Sequence, residues 1–450
     1  MTRSFRVAVV GAGPAGIYAA QELLSHDEFD IEVDVIDRLP TPYGLVRYGV
    51  APDHPKIKSI QRALQRTFEQ PRIRFLGDVE IGSALTPGDL DEVYDAVVYS
   101  TGAALGRGLE IPGEDLPGVV SANDFVSWYS AHPDTAPGFL PETLRTATAV
   151  AVIGAGNVAL DVARVLVKAV PLLAETDMPQ HVLDRLAASR VKDVHLVIRR
   201  GPAQAKFTSK ELREFADLDD VDVVLDAALL PTDGELEALD THARNNIAAM
   251  RLLADHHVEN PARRVHFHFW SRPTRVVGEA SVEALEVASV RLDDDRLVDT
   301  GDLDLIAVQG VFPAVGYAST PVGDLPFDPA IARIPHADGR ILDRGQVTPG
   351  RYVAGWVKRG PSGVVGSNRQ DAIATVASVL ADLADAPDST ATVAAADELL
   401  ASRGVHPVSY DGWLGIDQAE IALGEASGRQ RTKIHEWERL RHYGADTVPS

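Results

Sequence analysis

The chain has 450 residues, 43 basic and 65 acidic, a formal net charge of −22, and no cysteine. A polyanion is repelled from nucleic acid and anionic membrane at long range, which disfavours unselective binding to either, and an anionic ligand needs a locally basic pocket. Without cysteine there are no disulfides, thiolate metal sites, cysteine-ligated clusters or dithiol relays, which leaves redox chemistry to bound organic cofactors or an external partner.

The length predicts two domains, each with its own core. Arg3 and Arg6 ahead of Val7-Ala8-Val9-Val10 look superficially like a secretory signal, but the apolar run breaks at Gly11, Gly13 and Pro14, so a buried first strand is expected. No stretch approaches the roughly 20 apolar residues of a membrane helix. No membrane insertion is expected, and the cytoplasm is the expected compartment.

Arg6 to Leu24 reads as strand, glycine turn and helix. Gly11-Ala12-Gly13-Pro14-Ala15-Gly16 fits G-x-G-x-x-G, in which the first glycine allows the turn, the second lets backbone approach a pyrophosphate and the third allows close helix packing. The alternating strand Ile31 to Asp37 follows, and its terminal Asp37 can accept both ribose hydroxyls, which favours FAD or NAD over NADP. A structural turn with a surface aspartate is the competing reading. Tyr94 to Gly102 reads as a further buried strand.

The pattern recurs from Ala149 to Val167. Gly154-Ala155-Gly156-Asn157-Val158-Ala159 carries alanine at the third position, which the fingerprint admits. The next strand, Val194 to Arg199, ends in Arg199-Arg200, suited to bidentate contact with a dianionic 2'-phosphate, so NADPH is expected here rather than NADH. The interval between the turn and Arg199 exceeds the usual ~20 residues, and a helix near Leu172 to Ala188 is expected to fill it. Beyond it, Ala203 to Glu214 reads as a loop entering a helix, Val265 to Trp270 and Val282 to Leu292 as strands, and Leu303 to Gly316 as a buried strand. From 371 to 400, Asp371, Asp382, Asp385, Asp388, Asp397 and Glu398 stand among apolar residues without a base, which predicts an exposed acidic helix face.

These elements predict an α/β fold with two Rossmann-like dinucleotide-binding domains. The FAD domain is discontinuous, residues 1–103 and 317–450 with a C-terminal helical tail, and the NADP domain, 104–316, is inserted in it.

Longer words narrow the reading. Leu39 to Lys56 (LPTPYGLVRYGVAPDHPK), Ile111-Pro112-Gly113-Glu114, Gly154 to Arg164 (GAGNVALDVAR), Arg199-Arg200-Gly201-Pro202, Phe207-Thr208 with Glu211-Leu212-Arg213-Glu214, and Ala354 to Gly366 (AGWVKRGPSGVVG) stand in this order. Together they resemble the adrenodoxin reductase-type family of ferredoxin-NADP reductases, including its actinobacterial members, while the tail around Trp413 to Asp417 is similar to bacterial members only. The resemblance implies that Ala15, Asp37, Leu45, Ile81, Trp356, Gly363, Val364 and Val365 contact FAD, and that Ala155, Gly156, Asn157, Val158, Arg199, Arg200, Glu211 and Gly363 contact NADP. Asp37 stands where glutamate is common in the family, and Gly355-Trp356 places an indole where related flavoenzymes carry Gly-Asp.

The activity so implied is hydride transfer from NADPH to FAD, then single electrons to a ferredoxin, an acidic iron–sulfur protein; a monomer is one expectation for the chain, with its oligomeric state open. His54 and Glu211 resemble the family's catalytic pair near the flavin and nicotinamide, with a structural histidine and a helix-start contact after Thr208 as alternatives. Asp161 reads as structural. Arg47, Lys56, Arg213, Arg251, Arg263 and Arg264 are candidates for a basic docking face. Another flavin-dependent NADPH oxidoreductase with a quinone or other acceptor, or a non-catalytic NADPH-responsive flavoprotein, are the alternatives. Relatives that need cysteine-held clusters or disulfides are excluded.

Overall fold

The computed structural model describes residues 3–135, 142–294, 296–363 and 365–445. The chain divides into two compact units, the first of Met1–Val50, His54–Leu105 and Tyr317–Ser450, the second of Ala51–Asp53 and Gly106–Gly316.

The first unit is built on a seven-stranded sheet in the order His336–Ala337, Arg340–Asp343, Gln346–Val353, Ala96–Tyr99, Arg3–Val10, Phe29–Ile36, Ile73–Leu76. The last five of these strands run parallel. A parallel sheet has both faces covered, which is why its central strands are buried and apolar toward their carboxyl ends, as at Val7–Val10 and Ala96–Tyr99. Phe5, Val7 and Val9 pack on one side against Ile17, Ala20, Val376, Val379 and Ile416. Ala8 and Val10 face the other, against Leu90, Val97, Ile334 and Val357. Each such fully buried branched side chain contributes about 1.5–3 kcal/mol.

The second unit has a five-stranded parallel sheet in the order Gly310–Pro313, Ala149–Ile153, Asp193–Val197, Arg263–His268, Val221–Val224. One face carries the main core around Val150, Val152, Leu160, Leu196, Met250 and Val265. Over part of the other lies a three-stranded antiparallel sheet, Ser271–Val277, Ala284–Asp293 and Arg296–Ala307, which covers Ala151, Ile153, Val197 and Val311.

In each sheet the strand that precedes a glycine turn lies where strand order reverses: Arg3–Val10 between Phe29–Ile36 and Ala96–Tyr99, and Ala149–Ile153 between Asp193–Val197 and Gly310–Pro313. Crevices beyond the carboxyl ends of strands at such switch points are where open α/β sheets bind ligands. The α/β class with two Rossmann-like sheets is as the sequence predicts.

Three local expectations are corrected. Leu303 to Gly316 is not one buried strand: Leu303 and Leu305 are 64% and 60% exposed on the edge strand Arg296–Ala307, and only Gly310–Pro313 is buried. The interleaved Asp302 and Asp304 mark a solvated edge, where polar alternation blunts unpaired backbone. The segment near Leu172 to Ala188 is two helices, Val170–Leu173 and Gln180–Ala187. The acids from Asp371 onward do not form one exposed face, because Asp371 pairs with Lys358, Asp382 with Arg340 and Asp397 with Arg74. Their basic partners are remote in sequence, which no local periodicity reveals. No helix among the described residues is long and apolar enough to cross a membrane.

Candidate functional site

The first glycine turn leads from Val10 into the helix Pro14–Leu23. Gly11 has φ +109°, and a Cβ there would stand 2.5 Å from the Ser100 carbonyl oxygen; at Gly16 it would stand 1.9 Å from the Gly11 oxygen. Both positions are filled by backbone that cannot move aside. Gly13 is different: a Cβ there meets nothing within 4 Å among the described residues. The helix starts at Gly13 with Pro14 in its first turn and no side-chain cap, so its N-terminal N–H groups are left for an external acceptor. By contrast, helices beginning after Ser121, Asp240 and Ser409 are closed by those side chains.

Asp37 clamps this turn. Its Oδ2 accepts from the Ala12 N–H at 2.7 Å and its Oδ1 from the Leu39 N–H at 2.9 Å, which leaves further lone pairs on each oxygen. Burial raises its carboxyl above the ordinary value, against the two backbone donors that favour the charged form. Leu45 opens a short helix after Gly44, which comes so close to Gly13 that a Cβ on it would stand 3.0 Å from the Gly13 Cα. Ile81 is buried beyond Val79, whose N–H donates to the Asp37 carbonyl.

Gly355, φ +75°, brings the loop after Val353 against the same helix end, where a Cβ would lie 2.7 Å from the Ala15 Cβ. Its N–H donates to Asp371 Oδ2 at 2.5 Å, and Lys358 Nζ stands 2.9 Å from Asp371 Oδ1. Trp356 follows, its ring centroid 5.7 Å from that of Tyr317, and its buried indole Nε1–H has no acceptor among the described residues. Gly363 has φ +83° and lies against Ser367. Val364 lies outside the described residues, and Val365 begins the helix Val365–Asp385. His54, in the first unit, is buried at the start of the turn Pro55–Lys58, where its carbonyl accepts from Ile57 and Lys58.

The second turn repeats the device. The helix Asn157–Val167 starts at Gly156 without a side-chain cap, and a Cβ on Gly156 likewise meets nothing within 4 Å among the described residues. At Gly154 a Cβ would lie 2.5 Å from the Ala314 oxygen, while Ala159 packs fully buried at the third position. Ala155 accepts from Lys206 and Phe207 N–H, and Asn157 Oδ1 from Thr208 N–H at 2.9 Å, so the 203–208 loop is tied to the turn beside Val158. Arg199 and Arg200 follow the next strand, exposed, with no acidic partner among the described residues. Arg200, Gln204, Lys206 and His242 line a cavity of about 420 Å³.

Glu211 belongs to this unit. Thr208 caps its helix, accepting from the Glu211 N–H at 3.5 Å, but the Glu211 carboxylate turns to Arg164, with Oε2 3.5 Å from Nη1. Arg164 is fully buried and also meets Asp53, Asp161 and Glu214. Against the cost of burial, Arg164 and Lys168 hold the Asp53 carboxyl well below the usual carboxylate range. Sequence patterns point to Asp161 as structural, and its ion pair with Arg164 one turn along agrees.

Of the docking candidates, Arg47 is corrected: it is 2% exposed and bonds Glu420, so it presents no charge outward. Arg251 is engaged by Asp233 and Pro231, and Arg263 by the Val191 and Val167 carbonyls. Lys56, Arg213 and Arg264 are exposed.

A family model described as pyridine nucleotide-disulphide oxidoreductase matches residues 5–228. NADPH-ferredoxin reductase FprA of Mycobacterium tuberculosis is 42% identical over 460 residues, covering 98% of this chain and 99% of that protein. The chain belongs to the adrenodoxin reductase-type family of ferredoxin-NADP reductases. Human mitochondrial NADPH:adrenodoxin oxidoreductase, another member, is 40% identical over 455 residues, with 95% and 90% covered. Mycobacterium tuberculosis FprA in complex with NADPH superposes with a TM-score of 0.92 over 98% of this chain and 100% of that one. Despite the family model's description, a chain without cysteine has no redox disulphide.

The roles of two residues are missed by reading the sequence alone. Asp371 reads there as one of several surface acids, and Arg164 as a helix residue behind the turn. The signal for Arg164 is weak but present: a lone arginine in the otherwise apolar run Val162 to Val167 demands buried carboxylates.

Proposed function

We propose that the chain is an NADPH-dependent flavoprotein reductase that delivers electrons to a ferredoxin-type iron–sulfur protein in the cytoplasm. The observation that carries this reading is the pair of uncapped helix N-termini at two switch points, one answered by the carboxylate Asp37 and the other by the free bases Arg199 and Arg200.

The residues present fit the two cofactors. At the first turn Gly11 and Gly16 keep the backbone tight, Gly13 leaves open space beside the uncapped N–H groups of the helix that holds Ala15, Asp37 keeps lone pairs for ribose hydroxyls, and Trp356 holds an indole donor without an acceptor among the described residues. Leu45 and Ile81 add apolar lining. At the second, Gly154, Ala155, Gly156, Asn157 and Val158 form the phosphate turn, and two guanidinium groups suit a 2'-phosphate. When bound, FAD supplies a group that takes a hydride from NADPH and gives up electrons singly. Gly363 keeps its loop free of a side chain. His54 can hold or release a proton on its imidazole, and Glu211 is kept in place by Arg164. Exposed Lys56, Arg213 and Arg264 attract an acidic partner in spite of the overall negative charge.

Steady-state turnover with ferredoxin, flavodoxin and quinone, each with NADPH and with NADH, tests this reading. It requires NADPH and ferredoxin to be the preferred pair, with rates that fall as salt rises. Equal use of NADH, or a quinone preferred over ferredoxin, would count against it.

A further inference from the structure

We propose that Lys206 and His242 are specificity-determining residues for the nucleotide, completing with Arg200 a cationic pocket for its 2'-phosphate. The proposal rests on the reading of the second glycine turn as an NADPH site, and it goes beyond the arginine pair. Arg200, Lys206 and His242 line one cavity of about 420 Å³, and Asp240 is the one acid in its lining.

Backbone contacts hold the pocket in shape. The Arg200 carbonyl accepts from the Trp270 N–H at 3.2 Å, and a Cβ at Gly201 would stand 2.1 Å from the Trp270 ring, so the chain turns away from its strand at a glycine. The Lys206 N–H donates to the Ala155 carbonyl at 2.8 Å, which joins the loop to the glycine turn. Fully buried Asn246 donates through Nδ2 to the Phe207 carbonyl at 2.7 Å and lies 3.2 Å from His242 Nε2, so one amide fixes both the loop and the imidazole. With Nε2 accepting that N–H, a neutral His242 carries its own proton on Nδ1 and is a donor there.

Charge gives the pocket its ligand. The chain carries a formal net charge of −22, yet Arg200 and Lys206 are exposed and have no ion pair among the described residues. Asp240 does not neutralise them. Its Oδ1 accepts from the Ala243 N–H at 2.8 Å and caps the helix Thr241–Asp255, whose positive end offsets the carboxylate. A lysine solvated on a free loop is the plain alternative. Lys206 instead stands between Ala205 and Phe207, both buried, so its backbone is already ordered and less freedom is lost on binding. A phosphate near two negative charges offers three acceptor oxygens, enough for a guanidinium, an ammonium and an imidazole donor together. A 2'-hydroxyl gives the ammonium no charge to meet.

Calorimetric titration of the flavin-loaded full chain with NADP+ and with NAD+, which differ only in the 2'-phosphate, tests the pocket without turnover. Wild type should bind NADP+ more tightly. In K206Q that affinity should fall about tenfold and in H242A about threefold, with NAD+ binding unchanged, and K206R should recover most of the loss. If K206Q and H242A keep the wild-type affinity for NADP+ while wild type still prefers it to NAD+, the proposal is overturned and the NADPH reading stands. Equal affinity of wild type for the two nucleotides would overturn that reading and the proposal with it. Matching losses for NADP+ and NAD+ would make both residues structural and also overturn it.

Discussion

Asp53 grips Arg164 through both carboxylate oxygens, Oδ2 to Nε at 2.8 Å and Oδ1 to Nη2 at 2.9 Å, inside the second unit. The guanidinium is fully buried, so it exists only because Asp53, Asp161, Glu211 and Glu214 compensate it. Replacing Arg164 by Met leaves those carboxylates facing each other. We expect R164M to lose about 3–5 kcal/mol of stability, read as a lower urea midpoint. A midpoint within error of wild type would mean that water already compensates the acids.

Gly13 and Gly16 separate a fold requirement from a ligand requirement. A Cβ at Gly16 collides with the Gly11 oxygen, whereas at Gly13 it meets nothing within 4 Å among the described residues. G16A should therefore be poorly folded. G13A should keep the wild-type circular dichroism spectrum yet purify with less flavin per chain, because its methyl group occupies the space the pyrophosphate needs. Full flavin content in G13A would sink this assignment.

Arg199 and Arg200 have no acidic partner among the described residues, so removing them breaks no ion pair. R199A and R200A should raise KM for NADPH on the order of tenfold to a hundredfold each while leaving KM for NADH nearly unchanged. Parallel losses with both nucleotides would point to a structural role.

Glu420 gives the clearest pH dependence. Burial alone would raise its carboxyl, but Arg47, Arg431 and the Ile434 N–H hold it below the ordinary value. A carboxyl with a depressed folded pKa binds fewer protons folded than unfolded. Its stabilising contribution is thus present above the unfolded pKa of about 4.3 and lost as pH falls through the folded one. The wild-type urea midpoint should drop below about pH 4.3. E420Q should start lower at neutral pH, by about 3–5 kcal/mol because Arg47 is left buried without its anion, and should show a shallower acid decline. An equally steep decline in E420Q would place the acid sensitivity elsewhere.

The fold was legible because its signals are local. Val7 to Val10 and Val150 to Ile153 are β-branched or alanine runs that stop at glycine, and Asp37 and Arg199 stand at the ends of the following strands. Asp53, Glu211 and Glu214 meet Arg164 from segments far apart in sequence, a pairing that only the folded backbone creates. Leu303 and Leu305 read as core from hydrophobicity alone, since nothing in their neighbourhood reveals that their strand has one partner and an open edge. Asp371 was obscured by the acids around it. Its role appears only when the turn at Gly355 reaches the second turn of its helix.

Anaerobic mixing of the flavin-loaded chain with NADPH tests the reductase function most directly. The visible flavin absorbance should bleach, far faster with NADPH than with NADH, and return when oxidised ferredoxin is added. A flavin spectrum that stays unchanged while NADPH binds tightly would contradict the assignment and leave a nucleotide-binding flavoprotein without reductase chemistry.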